Sequence, residues 1–253
     1  MKRKAIKIVS ILLCVCVAVV LFFTMTRVAD ISVNVSESAT LDPSEIEKTL
    51  SVYLNKNIFG VNKVEMISTL RANHPNVKVV AGENGIVKSF PNQITVQVTE
   101  RNPLFAVKTD EGYDVIDYEG VFIGRRAAGE IDLPVAICKL TEGNELGMPY
   151  AGTKEYDAIY TAFYETYLCS SADLTLADVL DNALIDMEKR LLIRTKTGVT
   201  IILDDYSEKT REKMQNALTA YLNYSSDTEK LSGYLLAYSV EDQIKTVYKK
   251  ELV

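Results

Sequence analysis

The chain has 253 residues, 47% of them apolar and 25% charged, which is ordinary for a folded protein with room for one or two domains beyond any anchor. Its first 27 residues carry five of the 28 basic residues (Lys2, Arg3, Lys4, Lys7, Arg27) and no acid, so residues 28–253 set 23 basic against 34 acidic residues, a formal −11. Such a surface repels nucleic-acid phosphates and anionic lipid heads, and nucleic-acid binding is excluded on that ground.

Ile8 to Met25 contains no charge. At about 1.5 Å per helical residue the run spans ~27 Å, close to the hydrocarbon thickness of a bilayer. Basic residues precede it, which sets the N-terminus in the cytoplasm. A cleaved signal peptide competes with this reading, but Arg27 stands where small residues are needed. A lipoprotein would require smaller residues than Leu13 and Val15 before Cys14 and Cys16. The expectation is an uncleaved anchor over residues 8–26 after a cytoplasmic tail of residues 1–7, with the remainder outside the cytoplasmic membrane.

Val28 to Val35 alternates as a strand and begins almost at once, with no long flexible spacer after the apolar run. Asp42 caps a helix with Pro43 at its first position and Glu45 at its third, and Ile46, Leu50, Tyr53 and Leu54 form its apolar face. Asn62 caps the next helix, with Glu65 placed for a capping box and Val61 and Met66 for a hydrophobic staple. Val64, Ile67 and Leu70 share a face at spacing three. Pro75 ends this helix. Two extended segments follow, of which Gln93 to Thr99 alternates strictly.

From Leu104 the chain reads as successive strands: Leu104–Lys108, Tyr113–Asp117, Val121–Gly124 and Leu133–Ile137. The Gly-rich tract Thr141 to Gly152 reads as an exposed connection. A helix runs from about Lys154 to Cys169, with Tyr156, Ile159, Tyr160, Phe163, Tyr167 and Leu168 at helical spacing, a core stripe more readily than a ligand groove. Strands follow at Leu184–Met187, Arg190–Thr195 and Val199–Leu203, the last two as a hairpin. A helix covers Ser207–Leu222, burying Met214, Leu218, Tyr221 and Leu222 and leaving Glu208, Lys209, Arg211, Glu212 and Lys213 to solvent. Two strands close the sequence, Gly233–Tyr238 and Gln243–Tyr248, before a tail at 250–253.

The stretch Asn57 to Leu104 resembles the core of a POTRA domain, specifically that of the bacterial FtsQ/DivIB division proteins. The matching pieces are Asn57-Ile58-Phe59 before the second helix, LRANHPNVKVV from Leu70, and KSFPNQITVQVTERNPLFAV from Lys88, the last being the most specific. The likeness extends through YDVIDYEGVFI at Tyr113 to Ile123 and beyond that is one of element order. Two departures stand out: Ala81 to Gly85 looks like an insertion between two halves of a strand region, and Lys88 replaces a frequent arginine. The resemblance implies an α+β protein: a single transmembrane helix, a POTRA domain (β-α-α-β-β) over residues 28–102, and a mixed β domain with two longer helices over 103–249. It also implies residence at the division septum, with FtsB/DivIC-like and FtsL-like single-span proteins as partners.

Chemistry is hard to find. The single histidine, His74, lies at a helix end with no second histidine to build a zinc site. Cys138 and Cys169 lack metal-ligand spacing; they are either a disulfide or two free buried thiols, the latter being the expectation. No phosphate-binding Gly-rich loop or Ser-x-x-Lys motif occurs. The acid pairs Asp204-Asp205 and Glu241-Asp242 suit turns better than acid–base catalysis. The sequence therefore reads as non-enzymatic, with no cofactor, no metal and no small-molecule substrate. The alternative kept open is a membrane-anchored enzyme acting on cell wall through two carboxylates.

A non-catalytic domain of this layout binds through its sheet edges, whose unpaired N–H and C=O groups a partner strand can complete. The best candidate is Gln243, Ile244, Lys245, Thr246, Val247 and Tyr248, which no later strand in the sequence covers. The residues alone leave an interior position equally open. The family resemblance favours the edge and adds Tyr238.

Overall fold

The computed structural model describes residues 2–36, 40–82, 85–141, 143–169, 176–225 and 232–251, except for the side chains of residues 2–9, 177 and 225. The chain forms two compact units, Met1–Arg101 and Asn102–Val253.

The first unit opens with helix α1, Lys2–Met25. Its described large apolar side chains are 47% to 65% exposed. Among the described residues no helix is long and apolar enough to cross a membrane, residues 2–9 having no described side chains. Strand β1 (Asp30–Ser36) leads to α2 (Pro43–Leu50), a short 3-10 turn and α3 (Lys63–Asn73), then β2 (Val77–Val79), β3 (Ile86–Ser89) and β4 (Gln93–Glu100). The Asp42 carboxylate accepts from the Ser44 amide at 2.8 Å and the Asn62 side chain from the Val64 amide at 2.9 Å, so both helices start on the caps the sequence provides. His74 is the C-cap of α3, and its Nε2 lies 2.7 Å from the Thr49 hydroxyl, tying α3 to α2.

Strand β4 is the middle of the sheet. It pairs in parallel with β1 on one side, while β2 and β3 share its other side end to end, both antiparallel. The Val80 amide donates to Gln97 and the Gln97 amide to Gly85, so β2 and β3 are two halves of one strand interrupted at 80–85. Only glycine fits the rejoining point, because a Cβ on Gly85 would lie 2.0 Å from the Val80 carbonyl oxygen. The insertion expected at Ala81–Gly85 falls at this break; residues 83 and 84 lie outside the described residues.

Ile46, Leu50, Tyr53, Met66 and Leu70 close over Ile94, Val96 and Val98. One expectation fails here: Val64 is 69% exposed, and the buried face of α3 is Met66 and Leu70, with Ile67 partly buried. Met66 and Leu70 are four residues apart and stack on one stripe. Val64 precedes Met66 by two residues, roughly 200° of helical rotation away.

The second unit contains β5 (Pro103–Thr109), β6 (Gly112–Asp117), β7 (Phe122–Arg126), β8 (Val135–Ile137), α4 (Lys154–Cys169), α5 (Leu176–Val179), β9 (Leu180–Ile185), β10 (Leu191–Thr195), β11 (Val199–Leu203), α6 (Thr210–Ser225), β12 (Gly233–Val240) and β13 (Gln243–Lys249). They build a nine-stranded sheet in the order β13-β12-β11-β10-β9-β8-β5-β6-β7. Helices α4 and α6 lie on one face: Tyr156, Ile159 and Phe163 of α4 and Met214, Leu218 and Tyr221 of α6 pack on Phe105, Ile193, Ile201, Leu235 and their neighbours. The aromatic stripe of α4 is thus core at its N-terminal end, while Tyr167 and Leu168 are 43% and 57% exposed.

Other expectations need correction. The strand placed at Leu184–Met187 is β9, which ends at Ile185; Asp186 turns the chain by accepting from the Glu188 and Arg190 amides, leaving Met187 fully exposed. The helix expected from Ser207 starts at Thr210, because Lys209 takes a positive φ of 51° and Asp205 accepts from the Ser207 amide and hydroxyl. Leu222, expected in the core, is 46% exposed. Lys213, expected in solvent, is 1% exposed. Cys138 is half-buried and Cys169 exposed, both free, so the pair of buried thiols does not hold.

Candidate functional site

The sheet of the second unit has two edges, and they differ. At β7 the tract 145–150 folds back alongside: Phe122 donates to Met148, Gly147 to Phe122 and Tyr150 to Gly120. Tyr150 is buried and its hydroxyl donates to Asp114 at 3.3 Å. The tract Thr141–Gly152 is mostly exposed, as expected of a connection, but Gly147 and Tyr150 are buried and its 145–150 part covers an edge. Arg125 on β7 is also held by Asp114 at 2.6 Å. Strand β13 has no such cover among the described residues.

The backbone direction on β13 follows from the register. Strand β12 is parallel to β11 and antiparallel to β13. The Asp204 amide donates to the Ala237 carbonyl, so Ala237 and residues of the same parity on β12 face β11. Leu236, Tyr238 and Val240 then face β13, opposite Val247, Lys245 and Gln243. Those three β13 residues spend their amides and carbonyls on β12, and Ile244, Thr246 and Tyr248 direct theirs outward. The turn agrees: Glu241 and Asp242 both take positive φ, 49° and 63°, as a two-residue hairpin loop closed by the Val240–Gln243 pair requires.

Side chains sort the other way. Ile244, Thr246 and Tyr248 are partly buried and Tyr248 packs against Tyr224 of α6, ring centroids 5.8 Å apart. Gln243, Lys245, Val247 and Lys249 are exposed on the face away from the helices. A shallow cleft of about 360 Å³ opens on that face, lined by Asp204, Leu236, Tyr238, Val247 and Lys249. Tyr238 of the sequence-derived set thus joins Val247 in this cleft, with Lys245 opposite Tyr238 in the register, whereas Ile244, Thr246 and Tyr248 offer backbone rather than side chains.

Sequence reasoning missed the continuation of this face. Val247, Leu236, Ile202, Leu192, Leu184 and Ile137 stand directly opposite one another on six successive strands. None belongs to the helix-side core, and Val247 and Ile137 at the two ends are 40% and 42% exposed. The ladder leaves a trace in the sequence. Leu191-Leu192-Ile193, Ile201-Ile202-Leu203 and Leu235-Leu236-Ala237 are unbroken apolar runs, where strands with one wet face would alternate.

Three of the four acids in the Asp204-Asp205 and Glu241-Asp242 pairs have structural partners. Asp204 pairs with Lys213, Asp205 caps the turn before α6, and Asp242 pairs with Lys209 at 2.8 Å. Hydrogen bonding from Ser207 holds the Asp205 carboxyl below the usual range, and hydrogen bonding from Lys209 does the same for Asp242. Among the described residues no group of three or more His, Cys, Asp or Glu is placed to hold a metal ion. Burial, with a contribution from Glu155, pushes the Cys138 thiol up to about 12, far from a reactive thiolate at neutral pH.

Comparison with known proteins gives the following. Residues 30–101 match the family described as POTRA domain, FtsQ-type. The chain is 28% identical over 155 residues to the cell division protein FtsQ of Corynebacterium glutamicum, covering 59% of this chain and 65% of that protein. It is 29% identical over 133 residues to the cell division protein DivIB of Clostridium botulinum strain Loch Maree, covering 49% of this chain and 48% of that protein. The chain spans half to two thirds of the length of these relatives.

Proposed function

We propose that this chain, which belongs with the FtsQ/DivIB cell division proteins, is a non-catalytic membrane-anchored scaffold of the bacterial divisome. It holds single-span FtsB/DivIC-like and FtsL-like partners at the septum and helps to time wall synthesis, the chemistry belonging to those partners. Its parts are a cytoplasmic tail, an anchor over residues 8–26, the POTRA domain at 28–102 and the β domain at 103–249. The observation that carries this reading is the uncovered β13 edge on the unit that follows an FtsQ-type POTRA domain.

The chemistry of the edge defines what it takes. A partner strand beside β13 extends the apolar ladder if it sets an aliphatic or aromatic residue next to Val247. Lys245 and Lys249 flank Val247 on the open face and favour acidic residues on either side of that apolar one. The same lysines disfavour pairing with a second copy, which would oppose like charges. Capture therefore weakens as salt rises, with the slope reduced when Lys245 is replaced by Gln.

Affinity isolation of the full chain from mildly solubilised membranes tests the proposal. The expected result is recovery of small single-span proteins, which crosslink to a photoreactive group at Lys245 and not to one at Arg126 on β7. Recovery of none, with hydrolysis of wall fragments by the same preparation, would turn the reading to the anchored enzyme.

The anchor has its own test in the cysteines. Cys14 and Cys16 are exposed on α1, so lipid is what shields them in a bilayer. In sealed vesicles a water-soluble maleimide should modify Cys169 quickly, Cys138 slowly, and Cys14 and Cys16 only after detergent is added. Labelling of Cys14 and Cys16 in intact vesicles at the rate of Cys169 would remove the anchor.

A further inference from the structure

The end of α1 is built into the POTRA fold. Thr26 is fully buried; its carbonyl accepts from the Ile58 amide at 2.8 Å and its hydroxyl from the Asn57 side chain at 3.0 Å. The Val28 amide donates to Lys56 at 2.9 Å, the Asn55 amide to Val28 at 2.8 Å, and the Ala29 amide to Asn92 at 2.8 Å. Residues 26–29 are therefore hydrogen-bonded chain between α1 and β1, with no slack for the first unit to swing on.

Two loop tips are held beside the helix by this junction, and each exposes a phenylalanine. Phe59 lies between α2 and α3, and Phe90 between β3 and β4; they are 64% and 68% exposed. Both rings meet Phe22 of α1, with centroids 6.2 Å and 6.5 Å away. Neither serves the core. Basic residues adjoin these tips: Arg27 forms a β-bridge with Asn57 beside Phe59, Lys56 and Lys63 are exposed on either side of Phe59 in the chain, and Lys88, two residues before Phe90, donates from Nζ to the Val61 carbonyl in the Phe59 loop. Burial, with a smaller contribution from Lys63, holds the Lys88 ammonium below the usual lysine range. Val64, 69% exposed, follows Lys63 in the first turn of α3.

We propose that Phe59 and Phe90 insert into the interfacial layer of the bilayer that holds α1, so that the POTRA domain lies against the lipid surface. The inference rests on the anchor reading above. The occupant is lipid, for two reasons on this surface. The exposed rings continue directly from the apolar side chain of Phe22, and their surroundings are cationic although residues 28–253 as a whole are acidic. Aromatic rings among lysines and arginines suit the boundary between acyl chains and anionic headgroups. The hydrogen-bonded junction fixes both tips beside the end of the helix, so their insertion needs no further ordering of the chain.

The chain contains no tryptophan, which permits single reporters. Full-length Phe59→Trp and Phe90→Trp variants would be reconstituted in phosphatidylglycerol–phosphatidylcholine vesicles, with Met187→Trp as a water-exposed reference and Val20→Trp as a reporter inside α1. The expected result is blue-shifted emission at positions 59 and 90, quenched by lipids brominated near the headgroup end of the acyl chain and shielded from iodide. Aqueous emission at 59 and 90 with bromolipid quenching at 20 would overturn the docking and leave the anchor standing. Aqueous emission at 20 as well would remove both. Amide exchange in the unsubstituted chain guards against a reporter artefact: vesicles should slow exchange at 57–60 and 89–92, and unchanged exchange there would overturn the proposal without any substitution.

Discussion

Proline at Thr246 is expected to weaken capture of the partner strand severely while leaving the second unit folded. The Thr246 amide points outward from the edge, so its loss removes a donor that only an added strand would use, and the β12–β13 ladder keeps its bonds through Gln243, Lys245 and Val247. The pyrrolidine ring also occupies the approach of the neighbouring backbone. A lost hydrogen bond plus that obstruction amounts to about 2 kcal/mol or more, roughly thirtyfold in Kd. Proline at Lys245 is the informative counterpart, because its amide points inward; it breaks the hairpin and lowers stability as well as binding. Thr246→Val supplies the opposite sign. The Thr246 hydroxyl is buried without a hydrogen-bond partner among the described residues, so the isosteric methyl should stabilise the fold by about 1 kcal/mol with binding retained. Isothermal titration against the isolated partner, beside thermal unfolding of each variant, separates the cases. Undiminished affinity in a folded Thr246→Pro chain would eliminate the edge as the site.

The second large effect is expected at Lys213. Its ammonium is buried, lies 2.9 Å from Asp204 Oδ1 and 3.1 Å from the Asp205 carbonyl, and donates to the Asp204 carbonyl as well. The Asp204 contact has the geometry of an ion pair rather than of a well-directed hydrogen bond. These bonds hold the connection from β11 to α6, the helix that packs behind β12 and β13. Lys213→Met keeps the bulk and removes the donor. Two carbonyls and a half-exposed carboxylate are left without it, a loss of about 3 kcal/mol. For a unit of this size that is roughly 6–12 °C in melting temperature. Surface replacement at Lys209, whose partner Asp242 is exposed, should change little by comparison. Equal melting temperatures for the Lys213→Met and parent chains would mean that water replaces the ammonium without penalty.

Both predictions depend on positions that the sequence revealed unequally. The hairpin of β12 and β13 was legible because alternation and the Glu241-Asp242 turn are local signals, and the first unit was legible because caps and a distinctive Phe-Pro-Asn turn mark its elements. The burial of Lys213 was not, since a lysine among charged residues on a helix reads as solvated until the loop carbonyls it bonds are placed in space. Val64 was misread because a spacing of three fits two neighbouring stripes, and only the packing of Met66 chose between them. The covering of β7 by 145–150 is a contact between segments more than twenty residues apart, which no window of the sequence contains. The apolar ladder was half visible: each run was present in the sequence, but their alignment across six strands depends on register.

The strand order of the second sheet also has a meaning in time. From β8 to β13 the strands lie in space in the order in which they leave the ribosome or the translocon, each added beside its predecessor. Until β13 is laid down, an earlier strand is the temporary border, with different residues and no flanking lysines. On the reading proposed above, the border offered to a partner comes into being with the last strand of this sheet, after α4 and α6 are in position. A chain halted partway exposes some edge, but not this one, so on that reading a partner strand selects copies in which β13 has been laid down.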